Sequence, residues 1–293
     1  MIVSASYRTD IPALYGDWFL KRIAAGHVRV ASPYGGRPYR VSLRPGAVDG
    51  FVLWTRNIGP LADRLPEVAA VAPFAVQFTV TGYPRALEQG VIETRAAIVQ
   101  IRELARAWGK RAVVWRYDPV VDTGPTGPAW HRRNFAALAA ALEGAVDEVV
   151  VSFAQIYAKT RRNLDAAARR HGFSWRDPEG GEKRALIGGL AAIAAAHGMR
   201  LTLCTQPDLV VEGVEPARCI DAARLSDIAG RAITARIKGN RAGCLCHESR
   251  DIGAYESCPQ GCAYCYAVSR RAAAKRFLTA HDMDGEMLGP DPE

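Results

Sequence analysis

Phe74-Ala75-Val76-Gln77-Phe78-Thr79-Val80-Thr81, a helical stretch from Val91 to Trp108, and Arg111-Ala112-Val113-Val114-Trp115-Arg116-Tyr117-Asp118 decide the fold. The outer runs are rich in β-branched and aromatic residues, as strands are. Gly109 stops the amphipathic helix between them. Two neighbouring strands joined by a crossing helix run parallel, because the helix returns the chain to the end where the first strand began.

The same alternation extends outward. Ile2 to Tyr7 predicts a strand, and Asp17 to Ala25 a helix stopped by Gly26. His27 to Ala31 and Tyr39 to Leu43 flank Pro33-Tyr34-Gly35-Gly36, which predicts a hairpin. Phe51 to Trp54, Glu148 to Phe153 and Met199 to Cys204 read as further strands. Helices are expected at Leu61 to Val71, Trp130 to Leu142, Arg161 to His171, Arg184 to His197 and Ala217 to Ala229. Ser174 to Lys183, with Gly180-Gly181-Glu182, reads as a surface turn, and Ala232 to Ile237 as a last strand. Repeated strand–helix units predict an α/β fold. No dinucleotide glycine fingerprint follows the first strand, so a TIM-like (β/α) barrel, partial at six or seven units, is expected rather than a Rossmann sheet. Residues 1–240 form that barrel in this reading, and residues 241–293 a C-terminal cluster-binding segment packed on its mouth.

That segment holds Cys244-Leu-Cys246-His247, and then Cys258-Pro259-Gln260-Gly261-Cys262-Ala263-Tyr264-Cys265. Five of the seven cysteines lie here. Thiolates crowded on a tight Pro/Gly loop suit a metal centre. A structural zinc site pairs its ligands in knuckles, whereas here three cysteines stand together at C-x3-C-x2-C with no obvious fourth. Cys258, Cys262 and Cys265 are the expected ligands of a [4Fe–4S] cluster. Cys244 or Cys246 could close it, line the site, or carry redox chemistry. Zinc is the competing metal. The odd cysteine count argues against a disulfide framework. Cys204 and Cys219, among apolar neighbours, read as small core residues.

At 293 residues the chain can bury one large core. Hydrophobic residues make up 49%, so the composition is that of a globular protein and not of a disordered one. The start, Met1-Ile2-Val3-Ser4, lacks signal-peptide anatomy, and the weakly polar run Ala185 to Ala196 is too short to span a bilayer. A cytoplasmic protein with no membrane partner is expected. The net charge of +8 admits an anionic partner, nucleic acid included.

Side chains alternate across a strand, so every second residue shares a face. Ser4, Ser6, Arg8 and Asp10 fall on one face; so do Gln77, Thr79 and Thr81, and so do Val114, Arg116 and Asp118. Thr55 and Asn57 share another, and Ser152 ends a fifth strand. Polar residues thus gather at the C-terminal ends of strands, where barrel enzymes build their sites. Arg8, Asp10, Arg116 and Asp118 are the expected catalytic groups, with Asn57, Gln77, Thr79, Thr81 and Ser152 positioning a cofactor. The bland alternative is that Arg116 and Asp118 pair with each other as a structural rivet.

Two resemblances stand beside these readings. The string Tyr255-x2-Cys258-x2-Gly261-Cys262-x-Tyr264-Cys265-Tyr266-Ala267 resembles the cluster motif of radical S-adenosylmethionine enzymes, most closely the spore photoproduct lyase and photolyase-like branch. Ser4-x-Ser6-x-Arg8-Thr9-Asp10-Ile11-Pro12, Phe51-x2-Trp54-Thr55-x-Asn57, Gln77-Phe78-Thr79-x-Thr81-Gly82-Tyr83, Trp115-Arg116-Tyr117-Asp118-Pro119 and Ser152-Phe153 together resemble the domain-of-unknown-function 1848 family over almost the whole chain. The first resemblance implies S-adenosylmethionine bound at an open iron, Tyr264 beside the cofactor, and a flavodoxin or ferredoxin as electron donor. It also implies a small-molecule or nucleotide substrate. Radical enzymes carry the cysteine loop after the first barrel strand, and here it follows the last; a permuted barrel would bring it to the same rim. Two other functions stay open: a closed [4Fe–4S] cluster doing non-radical redox or Lewis-acid chemistry, and a nucleic-acid-binding protein with a structural metal.

Overall fold

The computed structural model describes residues 1–32 and 37–290; the expected turn at Pro33 to Gly36 lies outside the described residues. Eight strands make one sheet: β1 (Ile2–Ala5), β2 (Gly50–Thr55), β3 (Phe74–Thr79), β4 (Val113–Val120), β5 (Glu148–Phe153), β6 (Arg200–Leu203), β7 (Glu215–Pro216) and β8 (Ser249–Asp251). Their spatial order is β7-β6-β5-β4-β3-β2-β1-β8, and every neighbouring pair is parallel. The protein is therefore α/β with a large parallel sheet. Strands follow one another across it in chain order, except that β8 comes round to lie beside β1. No ladder joins the edge strands β7 and β8 among the described residues. The His27–Val30 and Tyr39–Ser42 hairpin forms as expected, apart from the main sheet.

The two-residue period sorts the strands into two apolar layers. Phe74, Val76 and Phe78 of β3 join the larger core, while Ala75 points into the smaller one with Ile2, Val52 and Val114. Burial on both faces is what a parallel sheet requires. Trp115 is fully buried, stacks on Phe135 at 4.8 Å, and donates its indole N–H to the Val80 carbonyl at 2.9 Å. The smaller core is sealed by helix Ala222–Ala229: a Cβ at Gly50 would meet Leu225 at 2.8 Å, so β2 has to begin on glycine.

Several expected elements differ. The helix at Leu61 to Val71 is two short ones, Gly59–Ala62 and Leu65–Ala69, each with a proline in its first turn. Proline is at home there but cannot donate to a continuing helix. Gly180 and Gly181 open helix Gly180–Ala196 instead of lying in a turn, because Glu179 and Glu182 form a capping box around them. The helix expected from Ala217 starts only at Ala222, where Asp221 accepts the Ala223 N–H. Ala232 to Ile237 is no strand, although Ile237 bridges His247.

The segment beyond residue 240 contributes β8 and then runs across the sheet. Its tail wraps helix Gly16–Ala25, with the Trp18 indole donating to Gly285 O at 3.0 Å and Lys21 paired with Asp284 at 2.6 Å. No described helix is long and apolar enough to cross a membrane.

Candidate functional site

Asp251 ends β8 and organises the first corner of the site. Its carboxylate accepts from Ser4 Oγ at 2.8 Å, Ser6 Oγ at 2.7 Å, the Tyr7 N–H at 3.1 Å and Arg8 Nε at 2.9 Å. Both Arg8 and Asp251 are buried, and the Arg8 guanidinium also lies 5.3 Å from the Tyr255 ring centroid. Arg8 is thus spent on this pair. Asp251 escaped the sequence reading because nothing in Ser249-Arg250-Asp251 looks like a buried strand.

Asp10 is likewise engaged. It caps helix Ile11–Leu14 and accepts from Thr55 Oγ1 at 2.6 Å, the Arg56 N–H at 2.9 Å and Gln260 Nε2 at 3.4 Å. Burial raises its pKa, and those hydrogen bonds partly offset the rise. Asn57 faces away, accepting from Gln100 Nε2 at 2.8 Å and the Gly59 N–H at 3.1 Å.

Arg116 stands at the centre. It donates to both oxygens of Asp118, to Gln77 Oε1 at 3.0 Å and to Cys219 Sγ at 2.9 Å, and its guanidinium lies 4.9 Å from the Trp54 ring. Burial opposes its charge, but Asp118 together with the neighbouring Cys219 and Cys204 sulfurs outweighs that and keeps the guanidinium protonated. Ser152 reaches Asp118 at 3.3 Å, and Gln77 Nε2 holds the Cys219 carbonyl at 2.9 Å. The expected rivet therefore exists, but it borders open space: Trp54, Arg116 and Asp118 line a cavity of 500 Å³ shared with Lys159, Arg241 and Tyr266.

The cysteine loop leaves β8 at the C-terminal ends of the strands and is pinned on every side. Tyr15 donates to Ser257 O at 2.7 Å, the Gly90 N–H to Gln260 O at 2.7 Å, the Ala263 N–H to Leu87 O at 2.8 Å, and Arg271 Nε to Pro259 O at 2.8 Å. Gly261 has φ +75° and faces Arg271 at 2.7 Å, so only glycine fits. Tyr264 donates to Glu88 and accepts from Arg56; Thr81 donates to Glu88 as well. Sequence reading missed Glu88 and Arg56, whose pairing at 2.8 Å joins the loop to the ends of β2 and β3.

Cys258, Cys262 and Cys265 border a cavity of 220 Å³ together with Arg8, Asp10, Arg56, Thr79, Arg116 and Asp118. Strand-end polar residues and the cysteine triad thus meet at one mouth. Burial raises the pKa of all three thiols, Cys262 up to about 12. Backbone N–H groups serve two of the sulfurs, that of Gln260 for Cys258 and those of Ala267 and Val268 for Cys265, and the Arg56 charge favours the thiolate of Cys262. Among the described residues no three His, Cys, Asp or Glu side chains already surround one point as the ligands of a single ion do. A four-iron core sets its thiolates farther apart than one ion does, because each binds a different iron. The three thiols lie near enough to one another to interact electrostatically.

Cys244 and Cys246 are elsewhere. They lie on a hairpin held by Lys238 N–H to Cys246 O at 2.9 Å and Glu248 N–H to Arg236 O at 2.8 Å. Their thiols keep company with Cys204 and Cys219 and not with the triad. The Cys246 hydrogen bond holds the Cys244 thiol down to about 6.

No curated protein and no solved structure matches this chain. A family model described as a domain of unknown function (DUF1848) matches residues 2–267, and the chain belongs to that family.

Proposed function

We propose that the protein is an iron–sulfur enzyme whose cluster, held by Cys258, Cys262 and Cys265, binds S-adenosylmethionine at an open iron and acts on an anionic substrate. The observation that carries this reading is the position of the cysteine loop. It follows β8, the strand beside β1, and so issues from the first place in a spatial series β8-β1-β2-β3-β4-β5-β6-β7. We read that series as an opened, permuted (β/α) barrel. In it the loop occupies the place that the cysteine loop has in the radical enzymes it resembles.

The cluster with its cofactor would supply one-electron cleavage and a carbon radical that abstracts hydrogen. The protein's own residues do the rest. Backbone donors at Cys258 and Cys265 and the Arg56 charge beside Cys262 lower the cost of burying thiolates. Tyr264, clamped by Glu88 and Arg56, fixes the loop in height and orientation. Thr79, between the triad and Arg116, is placed to accept or donate one hydrogen bond to a ligand in the mouth.

The 500 Å³ cavity supports the substrate class. Trp54, Tyr157 and Tyr266 supply ring faces, and Lys159 and Arg241 supply cations. A planar, anionic compound such as a nucleotide satisfies both. Asp118 and Glu256 neutralise Arg116 and Lys159 in part, so one anionic group at a time is the expected load. The test is turnover: anaerobic, reduced, reconstituted protein should convert S-adenosylmethionine to 5′-deoxyadenosine, and Cys262→Ser should not. Absence of that product with a fully assembled cluster would remove the radical reading.

A further inference from the structure

We propose that Cys204, Cys219, Cys244 and Cys246 form a second metal site, a four-thiolate centre for one zinc-class ion that staples the open edge of the sheet.

Four of the seven cysteines take no part in the triad, and the chain brings them together from three places. Cys204 follows β6, Cys219 follows β7, and Cys244 and Cys246 precede β8. Cys219 Sγ lies 3.6 Å from Cys204 Sγ. Cys244 and Cys246 border the same 500 Å³ cavity as Cys204 and Cys219, so the four thiols gather in one place. A disulfide needs sulfurs about 2 Å apart. An ion with Zn–S bonds of about 2.3 Å in a tetrahedron holds its sulfurs at roughly 3.8 Å. The 3.6 Å spacing of Cys204 and Cys219 suits an edge of that tetrahedron and leaves no room for an inorganic core between them. The four sulfurs do not yet surround one point, so the end members, Cys204 and Cys244, must swing inward as the ion binds.

The surroundings suit thiolates rather than thiols. Arg116 donates to Cys219 Sγ at 2.9 Å and the Ile220 N–H to Cys246 Sγ at 3.4 Å. Arg241 borders the same cavity as Cys204, and the Asn240 and Cys246 N–H groups serve Cys244. A divalent ion with four thiolates carries two net negative charges, which Arg241 and the Asp118-paired Arg116 offset in part. Outer donors of this kind orient and stabilise metal-bound sulfur.

Position gives the site its purpose. Among the described residues β7 and β8 share no ladder, and a backbone bond from His247 N–H to Ile220 O at 2.9 Å links the segment after β7 to the one before β8. An ion on these cysteines would tie the ends of β6 and β7 to the chain entering β8. It would also set Arg116 over the substrate cavity.

Anaerobic titration of the full-length protein with cobalt(II) tests this. One equivalent should give the intense visible bands of tetrahedral tetrathiolate cobalt, unchanged in Cys258→Ser and lost in Cys219→Ser. If Cys219→Ser does not fold, Cys244→Ser, on the half-exposed hairpin, should still bind cobalt at least about tenfold more weakly than the parent. No such bands, or bands lost in Cys258→Ser and kept in Cys219→Ser, would overturn the proposal. So would acid-labile sulfide bound at this site in the Cys258→Ser protein. The triad reading is judged separately, because the cobalt signal in Cys258→Ser does not depend on it.

Discussion

Arg8 Nε donates to Asp251 Oδ1 at 2.9 Å across 243 positions of sequence. This contact joins the residue that ends β8 to the stretch that follows β1, so the cysteine loop leaves from a fixed point. Removing one partner strands a buried charge. Asp251→Ala should cost about 3–5 kcal/mol in urea unfolding, and the double variant Arg8→Met/Asp251→Leu should recover part of it. A loss below about 1 kcal/mol would show that the pair does not hold the two strands.

His131 supplies a pH dependence. It is fully buried between Tyr117 Oη at 2.8 Å and Val121 O at 3.1 Å, and burial lowers its pKa from 6.5 to about 4. The folded state thus keeps the ring neutral while the unfolded chain protonates near 6.5. Stability from this group is complete above pH 6.5 and drains as pH falls toward 4. The loss reaches about 3 kcal/mol. Unfolding curves between pH 7 and pH 4 should show it, and His131→Gln should flatten that part of the profile. Parallel profiles for parent and variant would contradict the assignment.

Cluster assembly should separate the two cysteine sets. After anaerobic reconstitution with iron and sulfide, Cys258→Ser, Cys262→Ser and Cys265→Ser should each bring acid-labile sulfide to background, while Cys204→Ser retains the parent content. Equal loss in Cys204→Ser would mean that the two sets do not act separately.

Gly253 has no room for a side chain. A Cβ there would fall 2.1 Å from Ser6 Oγ and 2.5 Å from Ser6 Cβ, just where the chain turns from β8 into the loop. Gly253→Ala should destabilise by about 1–3 kcal/mol and lower iron retention, because the loop must shift to admit the methyl group. A thermal midpoint and iron content equal to the parent's would count against a rigid loop.

Much of this architecture was legible where apolar periodicity was strong. β3, β4 and β5 and the helices between them are continuous, β-branched or amphipathic, and they fall where expected. β7 and β8 were invisible because Glu215-Pro216 and Ser249-Arg250-Asp251 carry no apolar alternation and owe their pairing to neighbours already in place. Strand faces correctly put Gln77, Arg116 and Asp118 together. They could not reveal that Arg8 is consumed by Asp251, nor that Cys204 and Cys219 share a cavity with Cys246, since those contacts join separate segments of the chain. Asn57, placed at the site by alternation, turns instead to Gln100, because the chain bends into a helix at Gly59.

The most direct test of the central claim is electron paramagnetic resonance of the reconstituted, reduced protein with and without S-adenosylmethionine. The reduced protein should give a four-iron signal that depends on the triad and changes when the cofactor is added. A four-iron signal indifferent to S-adenosylmethionine would contradict an open iron and with it the radical chemistry.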